Sequence, residues 1–156
     1  MTPAVQALKV AGVVFDLLEY EASVPAGQGA GSAAATALGI DPDAVYKTLV
    51  VELSSGELIV AVIPAENQLA LKKLAKAAGA KGAVMADSRR AERATGYVTG
   101  GISPIGQKQA LRTFVHRGAA DLAQVFVSGG RRGLELALTP ADLISVVDAE
   151  SCDLCA

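Results

Sequence analysis

The sequence predicts an α+β domain in which a curved, mixed, barrel-like β-sheet is surrounded by helices. The predicted strands come in adjacent pairs, which favours a mixed or antiparallel sheet over a doubly wound parallel one. The 156 residues suit one domain, and a chain of this length buries roughly 68–70% of its unfolded surface. The apolar residues are mainly Ala, Val, Leu and Ile, without Trp, so we expect a closely spaced aliphatic core.

Each element follows from periodicity and from residues that start or stop a helix. Thr2-Pro3 and Thr139-Pro140 each combine a helix N-cap with proline at the first helical position. Ser32 is expected to cap an Ala-rich helix, and Asp87 or Ser88 a later one. The predicted helices are 3–11, 32–39, 69–78, 88–94 and 140–147. The predicted strands are 13–20, 45–53, 57–63, 83–86, 111–116, 124–128 and 134–138.

Three of these expectations depend on local composition. The β-branched run 45–53 and the run 57–63 are joined by Ser54-Ser55-Gly56, which predicts a hairpin. The apolar run 83–86 predicts a short buried strand. The tail Cys152-Asp153-Leu154-Cys155 has no second cysteine pair for zinc and no helix after it, so we expect an incidental, frayed end.

Composition also excludes several classes of function. A net charge of −2 and a pI near 5.4 argue against binding DNA or membrane surfaces non-specifically. No apolar run is long enough to cross a bilayer, and the first residues do not have a signal peptide pattern. Two cysteines and one histidine indicate a reducing, cytoplasmic compartment and no histidine-based metal site. We expect no cofactor.

The stretch from Tyr97 to Gln107 is rich in glycine, contains Pro104 and carries no charge. Gly100-Gly101 allows a close approach of the backbone or a positive φ, and Ser103-Pro104 forces an extended or turning chain. A neutral loop of this kind suits a bound carbonyl or ribose, and it matches neither a P-loop nor a dinucleotide fingerprint. A simple tight turn explains the same residues equally well.

Lys47 is the first candidate for chemistry. Strand alternation places it on one face with Val45, Leu49 and Val51, so a charge shares a face with core residues. A lysine at the mouth of a pocket would explain this position, and so would an edge-strand lysine whose ammonium reaches solvent.

Two further groups of residues are candidates for anion binding. The segment from Ser128 to Glu135 is a Gly-rich turn that carries Arg131 and Arg132, and arginines beside backbone donors suit phosphate or carboxylate. It is equally consistent with a solvated hairpin tip. Glu135 would pair with Lys47 if their strands were neighbours. A basic set lies within 22 residues and fits either a phosphate-binding face or two solvated helix faces: Lys72, Lys73, Lys76, Lys81, Arg89, Arg90 and Arg93.

Three motifs together resemble one family. Tyr46-Lys47-Thr48-Leu49, the stretch from Gly96 to Lys108, and the stretch from Ser128 to Glu135 look like those of the YbaK/EbsC family. Its members are free-standing relatives of the editing domain inserted in bacterial prolyl-tRNA synthetases. The resemblance covers essentially the whole chain, so it implies one editing domain over residues 1–156.

The resemblance implies aminoacyl-tRNA deacylation, and its YbaK type clears cysteine mischarged on proline tRNA. Because cysteine fits a proline pocket, a second site must remove the product. The implied partners are mischarged tRNA and prolyl-tRNA synthetase. In the implied mechanism the substrate's own thiol attacks the ester, and Lys47 positions and polarises the tRNA 3′ end. The other implied substrate-binding residues are Tyr20, Thr48, Gly100, Gly101, Ile102, Ser103, Ser128, Gly129 and Glu135.

Two positions depart from the family pattern. Ala30 stands where the family's pocket carries a phenylalanine, and Glu135 stands where it carries an aspartate. The first change widens the pocket, and the second moves a carboxylate by one methylene. Deacylation of another small amino acid such as alanine, or a non-catalytic relative that binds tRNA or synthetase, therefore stays open beside the cysteine hypothesis.

Overall fold

The computed structural model describes residues 1–21 and 29–156. In this part of the chain the helices are α1 Pro3–Ala11, α2 Ala30–Leu38, α3 Leu71–Ala78, α4 Ser88–Thr95 and α5 Pro140–Val147. The strands are β1 Asp16–Glu19, β2 Tyr46–Leu53, β3 Leu58–Pro64, β4 Ala83–Met85, β5 Arg112–His116, β6 Val125–Ser128, β7 Leu134–Leu138 and β8 Glu150–Cys152. Short 3₁₀ turns occupy Pro42–Ala44 and Arg117–Asp121.

The predicted α+β class with a mixed sheet is confirmed. Five strands form one sheet in the order β4-β2-β3-β5-β8, and three form a second in the order β1-β7-β6. The five-stranded sheet is mixed, because β5 runs parallel to β3 and β8 while β2 runs antiparallel to β3 and β4. The two sheets meet at a bridge between Val45 and Phe126 and do not close into one barrel.

The core is aliphatic, as composition predicts. One cluster fills the space between the sheets and under α1 and α5, and it includes Leu8, Val60 and Leu143. A second cluster lies on the other face of the larger sheet, where α3 contributes Leu74. Because β3 is covered on both faces, its residues from Leu58 to Ile63 are all buried. This central strand pairs with β2 along seven residues, from Tyr46 to Glu52.

Helix capping agrees with the sequence at three of four predicted sites. Thr2 accepts a hydrogen bond from the Val5 N–H, Thr139 from that of Asp142, and Asp87 from that of Arg90. Ser32 as the start of α2 is wrong: the helix begins at Ala30, and Gly29 is its N-cap without a side-chain hydrogen bond. The helix therefore starts two residues earlier, with Ala30 and Gly31. Neither residue has a polar side chain that would compete for backbone hydrogen bonds.

The prediction that the C-terminal tail is frayed is also wrong. Glu150–Cys152 forms β8 beside β5, and Leu154 is fully buried in the cluster under α3. The Leu154 N–H donates to His116 Nδ1 at 3.1 Å, and its carbonyl accepts from Ala70 N at 2.7 Å. Sequence periodicity could not detect this strand, because it is three residues long and its partner β5 is distant in the chain.

The short strand β4 is not buried, contrary to expectation. It lies at the edge of the larger sheet, and Val84 and Met85 are 61% and 50% exposed. In the described residues, no helix has both the length and the apolar character needed to span a membrane.

Candidate active site

A cavity of about 370 Å³ opens beside the first half of β2. Strand β4 pairs with β2 from Val51 to Leu53, and the Ala86 N–H donates to the Val50 carbonyl at 3.1 Å. The β2 edge before Val50 therefore faces the cavity. Seven of the ten predicted site residues line it: Tyr20, Lys47, Thr48, Gly100, Ile102, Ser128 and Glu135. The fold therefore brings together residues from both sheets and from both Gly-rich segments.

Lys47 and Glu135 line the cavity without neutralising each other. Among the described residues neither takes part in an ion pair, although both border the same space. Glu135 is only 6% exposed. It sits on β7 opposite Leu18 of β1 and Ser128 of β6. The ion pair considered from the sequence does not form between these two residues, so an ammonium group and a buried carboxyl group both remain available to a ligand.

Two buried oxygens in the cavity wall have no hydrogen-bond partner within the described ranges. They are Oγ1 of Thr48 and Oε2 of Glu135. Burial raises the pKa of the Glu135 carboxyl to about 8, because a charge is costly where water is excluded. The pKa of the neighbouring Tyr20 hydroxyl is also raised, first by its own burial and then by the nearby Glu135 carboxylate. Buried polar groups are normally paired, so these oxygens are suited to contacts with a ligand.

In the first Gly-rich loop, some residues line the cavity and others only stabilise the conformation of the loop. Gly100 lines the cavity with φ +93°, a conformation that glycine adopts without strain. Gly101 does not line it, and its N–H donates to the Val98 carbonyl at 2.9 Å. Ser103 is fully buried, and its hydroxyl accepts from the Ile105 N–H at 3.2 Å. Gly101 and Ser103 therefore shape the loop, while Gly100 and Ile102 form its inner surface.

In the second Gly-rich segment, too, some residues line the cavity and others only stabilise the turn. Ser128 and Arg131 line the cavity, but Gly129 does not. The Gly129 N–H donates to the Leu134 carbonyl at 2.8 Å, and a Cβ on Gly129 would lie 2.7 Å from Leu134 Cγ. Glycine is required here for hairpin packing, which places Ser128 and Glu135 side by side.

Sequence reasoning missed one wall of the cavity. It comes from the end of β4 and the start of α4, and its residues are Met85, Ala86, Ser88 and Ala91. Helix α2 contributes Gly31 and Ser32. The Ala30 side chain, at the position where the family carries phenylalanine, lies outside the described residues.

A second cavity of about 530 Å³ lies beyond α4. Two of its arginines brace the fold: Arg90 bonds Glu52 and the Gly56 carbonyl, and Arg112 bonds Glu57. Lys73 of the basic set is likewise paired, with Asp153. These contacts assign part of the predicted basic face to structural ion pairs.

No cysteine or histidine is among the residues that line the first cavity. His116, Cys152 and Cys155 lie together around the C-terminal tail, where Asn67 Nδ2 contacts Cys155 Sγ at 3.5 Å. The described residues contain no cluster of acidic, histidine and cysteine side chains that could hold a metal ion. Among its lining residues the cavity therefore offers polarising and charged groups, but neither a thiol nor an imidazole.

An α+β fold with a largely apolar cavity that holds a few charged and polar groups is consistent with an aminoacyl-tRNA editing domain. The family model with that description matches residues 25–146, so the chain belongs to the aminoacyl-tRNA editing family, and the resemblance to YbaK/EbsC proteins is confirmed. The EbsC protein of Enterococcus faecalis, named for deacylation of Cys-tRNA(Pro) and Cys-tRNA(Cys), is 35% identical over 136 residues, covering 87% of this chain and 83% of that protein.

Solved structures agree on the fold. One, described as a trans-editing enzyme for prolyl-tRNA synthetase, superimposes with a TM-score of 0.80 at 23% identity, covering 100% of this chain and 99% of that one. The crystal structure of a hypothetical protein gives a TM-score of 0.87 at 24% identity, covering 99% of this chain and 100% of that one.

The chain is an aminoacyl-tRNA deacylase that acts on mischarged aminoacyl-tRNA.

Proposed function

We propose that the protein is a trans-editing deacylase that removes cysteine from Cys-tRNA(Pro), with Lys47 as its catalytic residue. The observation that carries this proposal is the cavity itself. It contains Gly100 together with Lys47 and Glu135, neither of which pairs with a described residue, and its lining residues include no cysteine or histidine. A substrate that brings its own nucleophile fits such a site. The name of the E. faecalis relative, which refers to cysteinyl-tRNA, supports the choice of amino acid.

In the proposed reaction the substrate thiol loses its proton and its sulfur attacks the ester carbonyl carbon. A carbon–sulfur bond forms and the ester carbon–oxygen bond to the terminal ribose breaks. The ribose oxygen leaves and takes up one proton in place of the one that the thiol lost, which gives a free ribose hydroxyl, and cysteine leaves as a cyclic thiolactone. No oxidant or reductant is needed, and the sum is a transfer of the acyl group from oxygen to sulfur.

The protein's part is to hold the ester and stabilise its developing negative charge. The Lys47 ammonium supplies a positive charge beside β2. Gly100 and Ile102 line the cavity, and their N–H groups donate to no described residue, which supports a role for these two groups as oxyanion donors. One such donor contributes roughly 10²–10³ in rate. The N–H of Gly101 is committed to Val98 and is left out of this role.

We expect Glu135 to fix the orientation of the bound aminoacyl group in the pocket. In the ester the amino group and the carbonyl lie on neighbouring carbons, so the ammonium and the developing oxyanion have opposite charges at a short separation. With the ammonium at Glu135 and the carbonyl towards Lys47, both charges are satisfied. Ammonium binding also favours the ionised form of a carboxyl whose pKa is about 8. Tyr20 and Ser128 complete this end of the pocket.

The proposed partners follow from the same reaction. The chain has a net charge of −2 and part of its basic set is internally paired, so we expect weak affinity for tRNA alone. Delivery by prolyl-tRNA synthetase in the cytoplasm would supply the missing affinity. This choice of partner is supported by the solved structure of the same fold that is described as a trans-editing enzyme for that synthetase.

A deacylation time course tests the proposal. Cysteinyl-tRNA(Pro) and alanyl-tRNA(Pro) are incubated with wild type, Lys47→Ala and the control Lys9→Ala, whose lysine is exposed at the end of α1. We expect rapid loss of cysteine only, reduced at least about 100-fold by Lys47→Ala and unchanged by the control. Equal loss of alanine would show that water is the nucleophile in a relaxed pocket. A folded, fully active Lys47→Ala protein would contradict the role of Lys47.

A further inference from the structure

Arg131 and Arg132 lie beside the candidate active site, and the reaction described above gives neither of them a role. Arg131 lines the cavity and is 54% exposed. Its only ion pair among the described residues is a long one, with Glu19 at 3.8 Å. Arg132 is exposed and has no ion pair with a described residue.

Contacts place Arg132 at the rim, between two residues that line the cavity. A Cβ on Gly100 would lie 3.3 Å from Arg132 Cδ and 3.8 Å from Nε, so the arginine side chain crosses over the Gly100 backbone. On its other side, the Tyr20 N–H donates to the Gly133 carbonyl at 2.9 Å, and the positive charge of Arg132 acts on the Tyr20 hydroxyl. The hairpin therefore holds two exposed arginines beside the cavity.

The ligand that crosses this rim carries an anion at a suitable position. In an aminoacyl-tRNA, the ester is on the terminal ribose, and the phosphodiester on the 5′ side of that ribose is the nearest negative charge. If the ester lies inside, at Lys47, this phosphate emerges at the mouth. Guanidinium groups bind phosphate through two parallel hydrogen bonds, so two of them at one rim suit a single phosphodiester.

We propose that Arg131 and Arg132 form an anion subsite that binds the phosphodiester on the 5′ side of the terminal nucleotide. This inference rests on the proposed position of the ester in the cavity. It gives the Gly-Gly-Arg-Arg hairpin a function in substrate binding, and it predicts that the enzyme reads the RNA backbone immediately outside the pocket. Because the arginines contact phosphate and not the ester, they raise affinity for the substrate and leave the chemical step unchanged.

Two small substrates isolate this phosphate. One is 3′-cysteinyl-adenosine and the other is the same ester with a 5′-phosphate. For wild type we expect kcat/KM to be at least about 10-fold higher for the phosphorylated ester, through KM. In Arg131→Ala/Arg132→Ala the ratio should fall to about 1. Arg132→Lys keeps the charge without the planar fork and should give an intermediate ratio.

Arg117→Ala is the matched control, because Arg117 is an exposed arginine at the C-terminal tail, near Asp153 at 3.7 Å. It should keep the wild-type ratio. Raising the salt concentration should lower kcat/KM of wild type for the phosphorylated ester only.

Binding of non-hydrolysable amide analogues, with and without the 5′-phosphate, separates this inference from the proposed function. If the esters are not hydrolysed but the phosphorylated analogue binds about 10-fold tighter in an arginine-dependent way, the deacylation proposal fails and the anion subsite stands. If wild type hydrolyses or binds both forms equally, or if the double variant keeps the wild-type preference, the anion subsite is overturned.

Discussion

Gly101 lies directly against the backbone of Arg131, and this contact joins the two Gly-rich segments. A Cβ on Gly101 would stand 2.8 Å from Arg131 Cα and 3.0 Å from the Arg131 carbonyl carbon. All the atoms nearest that Cβ are backbone atoms, so no side-chain rotation relieves the clash. The contact sets the distance between Gly100 on one segment and Ser128 on the other.

Gly101→Ala should therefore separate the two segments. We expect a loss of about 1–3 kcal/mol in the free energy of unfolding and a deacylation rate lowered at least 10-fold, roughly, because misplacing a catalytic group costs rate steeply. Urea unfolding and a deacylation time course measure both effects. Gly82→Ala is the control, since nothing lies within 4 Å of its Cβ position. A Gly101→Ala protein as stable and active as wild type would show that the contact yields without consequence.

Glu135→Gln should change how stability depends on pH. The folded pKa of about 8 lies above the ordinary value of a glutamate, so the folded protein keeps a proton that the unfolded chain has lost. Wild-type stability should then fall as pH rises from about 5 to 8, by a few kcal/mol at most, roughly. The Gln variant should lack this fall and be the more stable protein at pH 8–9. Urea unfolding at pH 5, 7 and 9 measures the free energy of unfolding of both proteins. If this free energy changed with pH in the same way in both, the argument from burial of Glu135 would be contradicted.

Thr48→Val should stabilise the fold while impairing the site. The Thr48 hydroxyl oxygen is buried without a partner among the described residues, and valine has the same shape without the polar atom. Removing an unsatisfied group should raise the free energy of unfolding by about 1 kcal/mol. If the hydroxyl contacts the substrate, kcat/KM should fall at the same time. Loss of stability in the variant would indicate that the hydroxyl is satisfied in solution.

Leu154→Ala should destabilise the whole domain, although Leu154 is the third residue from the end of the chain. Its side chain is fully buried beneath α3, so truncation leaves a cavity that costs about 2–5 kcal/mol. Thermal unfolding measures the effect. Leu17→Ala is the matched control, because Leu17 is 46% exposed and should cost less than about 1 kcal/mol. If Leu154→Ala and Leu17→Ala lowered the stability equally, the burial of Leu154 would be contradicted and a frayed tail would be favoured.

The candidate site was partly visible in the sequence. Lys47, Thr48 and Glu135 could be named because each stands in a motif that resembles those of the YbaK/EbsC family, and all three line one cavity. What motifs could not reveal is the direction in which each backbone group points. The N–H of Gly101 faces Val98 and not the cavity, and only the folded loop decides this.

The sequence by itself determined the local elements: the Thr-Pro helix starts, the hairpin at Ser54-Ser55-Gly56, and the glycines that stop α1 and α2. These depend on interactions between residues a few positions apart, so periodicity and capping chemistry are sufficient to predict them. The tertiary structure alone decided that β8 pairs with β5, that β4 and α4 wall the cavity, and that Lys47 and Glu135 share this cavity without pairing with each other. Such relationships join residues far apart in the chain, and their geometry depends on how every intervening element packs.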